Sequence, residues 1–182
     1  MRNTPKRAKK NGKGEKCAVL KIFGLLFVSF SVFIYGYAKS CAIKRKNDAE
    51  DGFLMLLSHI QAQLSSSALP LDEIYKSFHN DALLSQGFIF TLCESKHDAL
   101  YNAMQKKGGE ILKNKKLFSL MLDFSQKIGS SPSAHEGQRL CESFIALYRE
   151  EIASSRQKDK TKAELYKKMS FVCAVFIFLM FI

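Results

Sequence analysis

A chain of 182 residues with a formal charge of +11 has room for one modest domain and short appendages. The excess charge sits at one end: residues 1–46 hold 12 Lys/Arg against the single acid Glu15, and residues 47–182 hold 16 of each sign. A neutral folded part argues against a nucleic-acid partner. The tail's Arg2, Lys6, Arg7, Lys9, Lys10, Lys13 and Lys16 instead suit anionic headgroups or a topology signal.

Residues 1–16 read as a basic disordered tail. Residues 17–46 read as an N-terminal transmembrane helix with its basic flank. The apolar core of that helix, 22–38, lies between Lys21 and Lys39. At 1.5 Å per residue it covers about 26 Å, enough to cross a bilayer core with snorkelling lysines. The alternative is a cleaved signal peptide, with Ala38 and Ser40 at a small-x-small spacing. In that case the protein is an external helical one with a C-terminal membrane anchor.

Residues 47–168 read as a soluble helical bundle. Phe53, Leu56, Leu57, Ile60 and Leu64 recur at helical spacing, and Ser65 to Pro70 break the run. Leu71, Ile74, Tyr75 and Phe78 form a second helix, with Pro70 suited to its first turn and Asp72 and Glu73 at its positive end. Leu83, Leu84, Phe88, Leu92 and Cys93 mark a third. A fourth spans 98–107 and stops before Gly108 and Gly109. Leu117, Leu120, Met121, Phe124 and Ile128 mark a fifth, closed by Gly129. From Ala134 the stripe Leu140, Phe144, Leu147, Tyr148, Ile152 is helical again. No Pro follows, so that helix is expected to run through the charged stretch 156–168 into the apolar residues 169–182. This last run covers about 21 Å and reads as a C-terminal transmembrane helix, with Lys167 and Lys168 snorkelling at its edge. The fold class is therefore all-α: an antiparallel helical bundle flanked by two transmembrane helices.

Topology is not decided by charge. Eight basic residues precede the first apolar run and ten flank the domain, too small a difference for the positive-inside rule. Of the five cysteines, Cys93 and Cys141 fall on apolar helix faces and read as reduced core residues.

The chain offers no catalytic, cofactor or metal motif. It lacks a phosphate loop, GxGxxG, HExxH and GxSxG. His59, His79, His97 and His135 are scattered without metal spacing. Glu150 and Glu151 diverge on a helix and cannot act as a carboxylate pair. The chain does not read as an enzyme and implies no cofactor. One polar junction stands out, where Gly129 to Ser133 lead into Glu136, Gly137 and Gln138. Ser133 and Glu136 stand at capping-box spacing, and the exposed junction also suits a partner contact.

Four features in order resemble the stage III sporulation protein AB family. A membrane helix is followed by Lys44-Arg45-Lys46 and FLMLLSHIQAQL. Leu69 to Ile74 is similar to that family's TPLPEAL. Gly129 precedes Glu136-Gly137-Gln138, similar to its LG and EGQ. Lys160 to Lys168 then leads into a terminal apolar helix, where Cys173 and bulky Phe replace the family's usual Gly. The resemblance covers residues 20–182. It implies a bundle like that of the membrane platform (F) protein of type II secretion and type IV pilus systems. It implies a two-pass protein of the cell membrane whose bundle faces the mother-cell cytoplasm, in the channel between mother cell and forespore. The implied partners are other stage III sporulation proteins, including a secretion-type ATPase, with membrane lipid around the anchors and a homo-oligomer left open. By the same resemblance Pro70, Gly129, Glu136 and Gln138 are fold or interface positions.

Overall fold

The computed structural model describes residues 12–66, 69–94, 98–131 and 133–181, and among them no strand occurs. The helices are α1 (Gly12–Ser66), α2 (Leu71–Ser77), α3 (Asp81–Ser85), α4 (Phe88–Glu94), α5 (Ala99–Ala103), α6 (Gly109–Ile111), α7 (Lys115–Gly129) and α8 (Ala134–Phe181), with a π-helical turn at Met104–Gly108 between α5 and α6. The chain divides into two compact units. One is made of the parts of α1 and α8 that lie up to Ser40 and from Ala163; the other is Cys41–Lys162.

α1 is one helix of 55 residues. It begins at Gly12, so helix already covers the last residues of the tail expected to be disordered. α8 is likewise continuous over 48 residues, as the absence of Pro and of Gly after Gly137 predicts.

The larger unit is built on the expected stripes. Phe53, Leu56, Leu57 and Ile60 of α1 are fully buried, with Ile74, Leu83, Phe88 and Leu117 beside them. The Phe53 and Phe88 rings meet edge-on at 4.8 Å, a favourable quadrupole arrangement. Phe124 and Phe144 join α7 to α8 at 5.5 Å. His59 ties α1 to α2, with Nε2 at 3.0 Å from Ser77 Oγ and 3.3 Å from Ile74 O. It is thus a half-buried packing residue of α1. Contacts between α1 and α8 descend in α8 as they ascend in α1: Lys46 meets Asp159, Asp51 meets Arg156, and Gln61 meets Glu142. The two helices are therefore antiparallel in this unit.

Three local expectations are corrected. The third helix is two, α3 and α4, because Gly87 takes φ +74, a left-handed turn that glycine adopts without strain. Asn80 opens α3 by accepting a 3.1 Å hydrogen bond from the Leu83 N–H. The fourth helix does not stop before Gly108 and Gly109, which are both right-handed helical. A Cβ on Gly108 would stand 2.5 Å from Met104 Cε and 3.3 Å from Phe118 Cε2. The Met104 side chain packs over Gly108, and the chain leaves the helix at Leu112. Lastly, Cys93 is exposed while Cys141 is fully buried. Burial pushes the Cys141 thiol up to about 12, so it stays protonated and inert at neutral pH.

The smaller unit has an inverted surface. Phe23, Phe27, Phe30, Phe33, Ile34, Phe171, Val172, Phe176 and Leu179 are all exposed. Among its described residues the buried ones are small: Gly36, Ser40 and Ser170. Gly36 approaches so closely that an added Cβ would collide with the Ser170 side chain, and it would lie 3.0 Å from Tyr166 O. Small residues at a crossing let two backbones approach where no water drives apolar side chains together. The Ser31 and Ser170 hydroxyls donate to their own helix, to Phe27 O at 2.7 Å and Lys167 O at 3.0 Å. Both helices supply small residues at this crossing, Gly36 from α1 and Ser170 from α8, although Cys173 and bulky Phe stand elsewhere in the terminal run.

Candidate functional site: a helix junction and a charged helix pair

The junction between α7 and α8 follows from local chemistry. Ser131 N–H donates to Ile128 O at 3.4 Å, ending α7. Ser133 opens α8: its Oγ accepts from Glu136 N–H at 3.2 Å and its carbonyl accepts from Gly137 N–H at 3.0 Å. That is the backbone half of the capping box read from sequence. The Glu136 carboxylate lies in the first turn, where the helix dipole favours an anion.

The four sequence-predicted positions divide. Gly129, Glu136 and Gln138 fall together at this junction. Gly129 is exposed, and a Cβ there would sit 3.1 Å from Asp98 Oδ1. Glu136 is exposed. Gln138 is half-buried, and its Nε2 donates to Glu142 Oε1 at 3.4 Å. Pro70 stands apart at the start of α2, exposed, its carbonyl accepting from Glu73 N–H at 3.0 Å and Ile74 N–H at 3.2 Å. Its role is to open a short helix.

Sequence reasoning missed two residues here. Gln61 of α1 also donates to Glu142 Oε1, at 3.4 Å, so one carboxylate oxygen joins α1 to the first turns of α8. Gly137 is buried, and a Cβ on it would lie 3.2 Å from Leu64 Cδ1 and 3.4 Å from Ile128 Cδ1. It lets the ends of α1 and α7 close on the start of α8. Gly137→Val is therefore expected to cost roughly 1–3 kcal/mol by overpacking, read as a lower midpoint in thermal unfolding. A midpoint equal to that of the parent would show that the junction yields freely.

A second constellation lies on the α1–α8 pair. Lys46 Nζ is 2.6 Å from Asp159 Oδ2 and 3.4 Å from Glu50 Oε1, and Arg156 pairs with Asp51. Glu50 is fully buried. Burial pushes its carboxyl above the ordinary range, and the Lys46 charge opposes that without cancelling it. Burial pulls Lys46 down, but the hydrogen bond to Asp159 and the charges of Glu50 and Asp159 outweigh it, so its ammonium is held above its ordinary value. Lys46 and Arg156, expected among the free basic flanks, are committed inside the bundle. Composition gave no sign of this, because a lysine beside two other basic residues reads as solvated.

Among the described residues no group of His, Cys, Asp and Glu is arranged to hold a metal ion. The constellation is structural: it fixes how far α1 slides against α8, since a shift of one turn, about 5.4 Å, would separate each pair.

The model of the family described as stage III sporulation protein AB matches residues 21–182. No curated protein and no solved structure matches the chain. With nearly the whole chain matched, the protein belongs to the stage III sporulation protein AB family, and its role lies in stage III of sporulation.

Proposed function

We propose that the protein is a membrane-held assembly subunit of the sporulation channel between mother cell and forespore. The observation that carries this reading is the inverted surface of the smaller unit, with large apolar side chains outside and Gly36, Ser40 and Ser170 inside. Such a surface suits lipid, not water. Among the described residues α1 is long and apolar enough to cross a bilayer, and we take the end of α8 as its companion span. The chain is then a two-pass protein of the cell membrane. Its bundle, related to the F platform protein of type II secretion, faces the mother-cell cytoplasm. There it docks a secretion-type ATPase and other stage III proteins, and the exposed α7–α8 junction is its candidate contact. Its task is assembly rather than catalysis.

The test is affinity purification of the full chain from sporulating cells after mild detergent extraction. A secretion-type ATPase should co-purify, and Glu136→Ala with Gln138→Ala should reduce its recovery without lowering the amount of the chain. Failure of any such ATPase to co-purify overturns the docking role. The external alternative gives a different result: a mature protein shortened by about 40 residues, as signal cleavage removes.

A further inference from the structure

The basic residues at one end of the larger unit divide into two groups. Lys46 and Arg156 are spent on Glu50, Asp159 and Asp51. Lys44, Arg45, Lys158, Lys160 and Lys162 are exposed, and none is in an ion pair among the described residues. On the same stretches, 41–51 and 156–162, the exposed carboxylate is Asp48 alone; Glu50 and Asp159 are buried and Asp51 is half-buried and paired. Five free cations thus face one free anion. Lys158 and Lys162 stand four apart on α8, a like-charge spacing that destabilises an isolated helix. The internal pairs hold this arrangement, because they fix α1 against α8 and consume Glu50, Asp51 and Asp159, leaving the exposed charge of these stretches predominantly positive.

We propose that this end of the bundle is a binding surface for anionic phospholipid headgroups. Five exposed cations on two helices, next along the chain to the apolar segments, match the density at which basic clusters beside a membrane helix select anionic lipid. The proposal deepens the membrane reading given above and rests on it. It makes a sharper claim than the net charge does: the five exposed cations select the lipid, and Lys46 and Arg156 do not.

The experiment uses the full chain in phosphatidylcholine vesicles, with trace spin-labelled phosphatidylglycerol or spin-labelled phosphatidylcholine. The ratio of motionally restricted label measures preference. The parent should prefer phosphatidylglycerol several-fold, and about 0.5 M salt should weaken that preference. Lys158→Gln/Lys160→Gln/Lys162→Gln removes three of the five cations and should lower the ratio markedly toward one. Lys106→Gln/Lys113→Gln/Lys115→Gln removes the same charge elsewhere on the bundle and should leave the parent's ratio unchanged. Parity in the parent, or an equal loss in both triple variants, overturns the proposal. Flotation after alkaline extraction separates the two failures: a chain that leaves the vesicles overturns the membrane reading itself, and a chain that stays without lipid preference overturns only this inference.

Discussion

Replacing Lys46 by methionine should cost the bundle roughly 2–4 kcal/mol. Breaking a buried pair by removing one partner ordinarily costs about 3–5 kcal/mol, and the discount reflects the one-fifth of the Lys46 side chain that remains exposed (20%). The loss arises because the buried Glu50 loses its nearest cation and keeps only the weaker field of Arg156, while Asp159 loses a 2.6 Å hydrogen bond. The effect carries a pH signature. Glu50 already has a raised carboxyl pKa in the folded chain. A raised carboxylate is more readily protonated in the native state. Its favourable contribution is therefore complete below the unfolded pKa and is lost as pH rises through the folded one. Removing Lys46 pushes Glu50 higher still. The deficit of Lys46→Met should be full at neutral pH and should shrink as acid protonates Glu50. Lys46 has the same sign at higher pH: its raised pKa gives a contribution that is complete below the unfolded value and is lost as pH rises through the folded value in the alkaline range. Thermal unfolding of both proteins across a pH series measures all of this. Adding Glu50→Leu and Asp159→Asn to the variant should recover much of the loss, since no unpaired charge then remains buried. A deficit below about 0.5 kcal/mol at neutral pH, the size of an exposed pair, would demote the cluster to a surface feature.

Phe176→Arg is expected to pull the end of α8 out of the bilayer. Phe176 lies midway in the apolar run 169–182, and its side chain is exposed on the outer surface of the smaller unit. An arginine at the centre of a membrane helix costs roughly 2.5–3.5 kcal/mol on insertion, and a run of 14 residues has little apolar surplus to absorb it. The bundle should survive, because its core on α8 ends at Ile152. The variant should still sediment with membranes through α1. A protease site placed after Lys168 should become more readily cut, and sporulation should fail. Unchanged cleavage with normal sporulation would mean that this run is packed against protein, and the two-span reading would fall.

The stripes that the sequence displays most plainly are those the structure buries. Phe53, Leu56, Leu57 and Ile60 needed only their three-and-four spacing, because one helix face against one core leaves no other use for them. The same rule misleads at the margin of a stripe. Leu147 and Cys93 share the period of buried neighbours yet are exposed, since a short or narrow contact covers less of the helix than the pattern offers. Glycine was the weakest guide. Gly129 is the last residue of α7 but takes no left-handed turn, the cap being Ser130; Gly87 makes a turn inside a stretch read as one helix; and Gly108 sits within helical backbone under the tip of Met104. A single letter serves three purposes, and only the neighbours tell them apart. At the junction, the Ser133 cap is local and so was legible. Glu142 joining Gln61 to Gln138 brings together residues about 80 positions apart in the chain (81 between Gln61 and Glu142), which no spacing rule reports. The Lys46 cluster was hidden for the same reason.

That cluster also bears on how the chain comes to lie in a membrane. On the two-pass reading, orientation is chosen during biosynthesis, when each segment is still unfolded and every lysine and arginine counts alike. At that moment Lys46 and Arg156 act as free positive charges and add to the basic count on the domain's side of the membrane. Once α1 and α8 meet, the same two side chains are neutralised by Glu50, Asp159 and Asp51 and no longer contribute to the outer field. The acids carry little weight in choosing orientation, so they do not offset the signal before folding. On that reading two residues serve in succession, first as part of the basic flank of the nascent chain and then as fasteners between helices in the mature one.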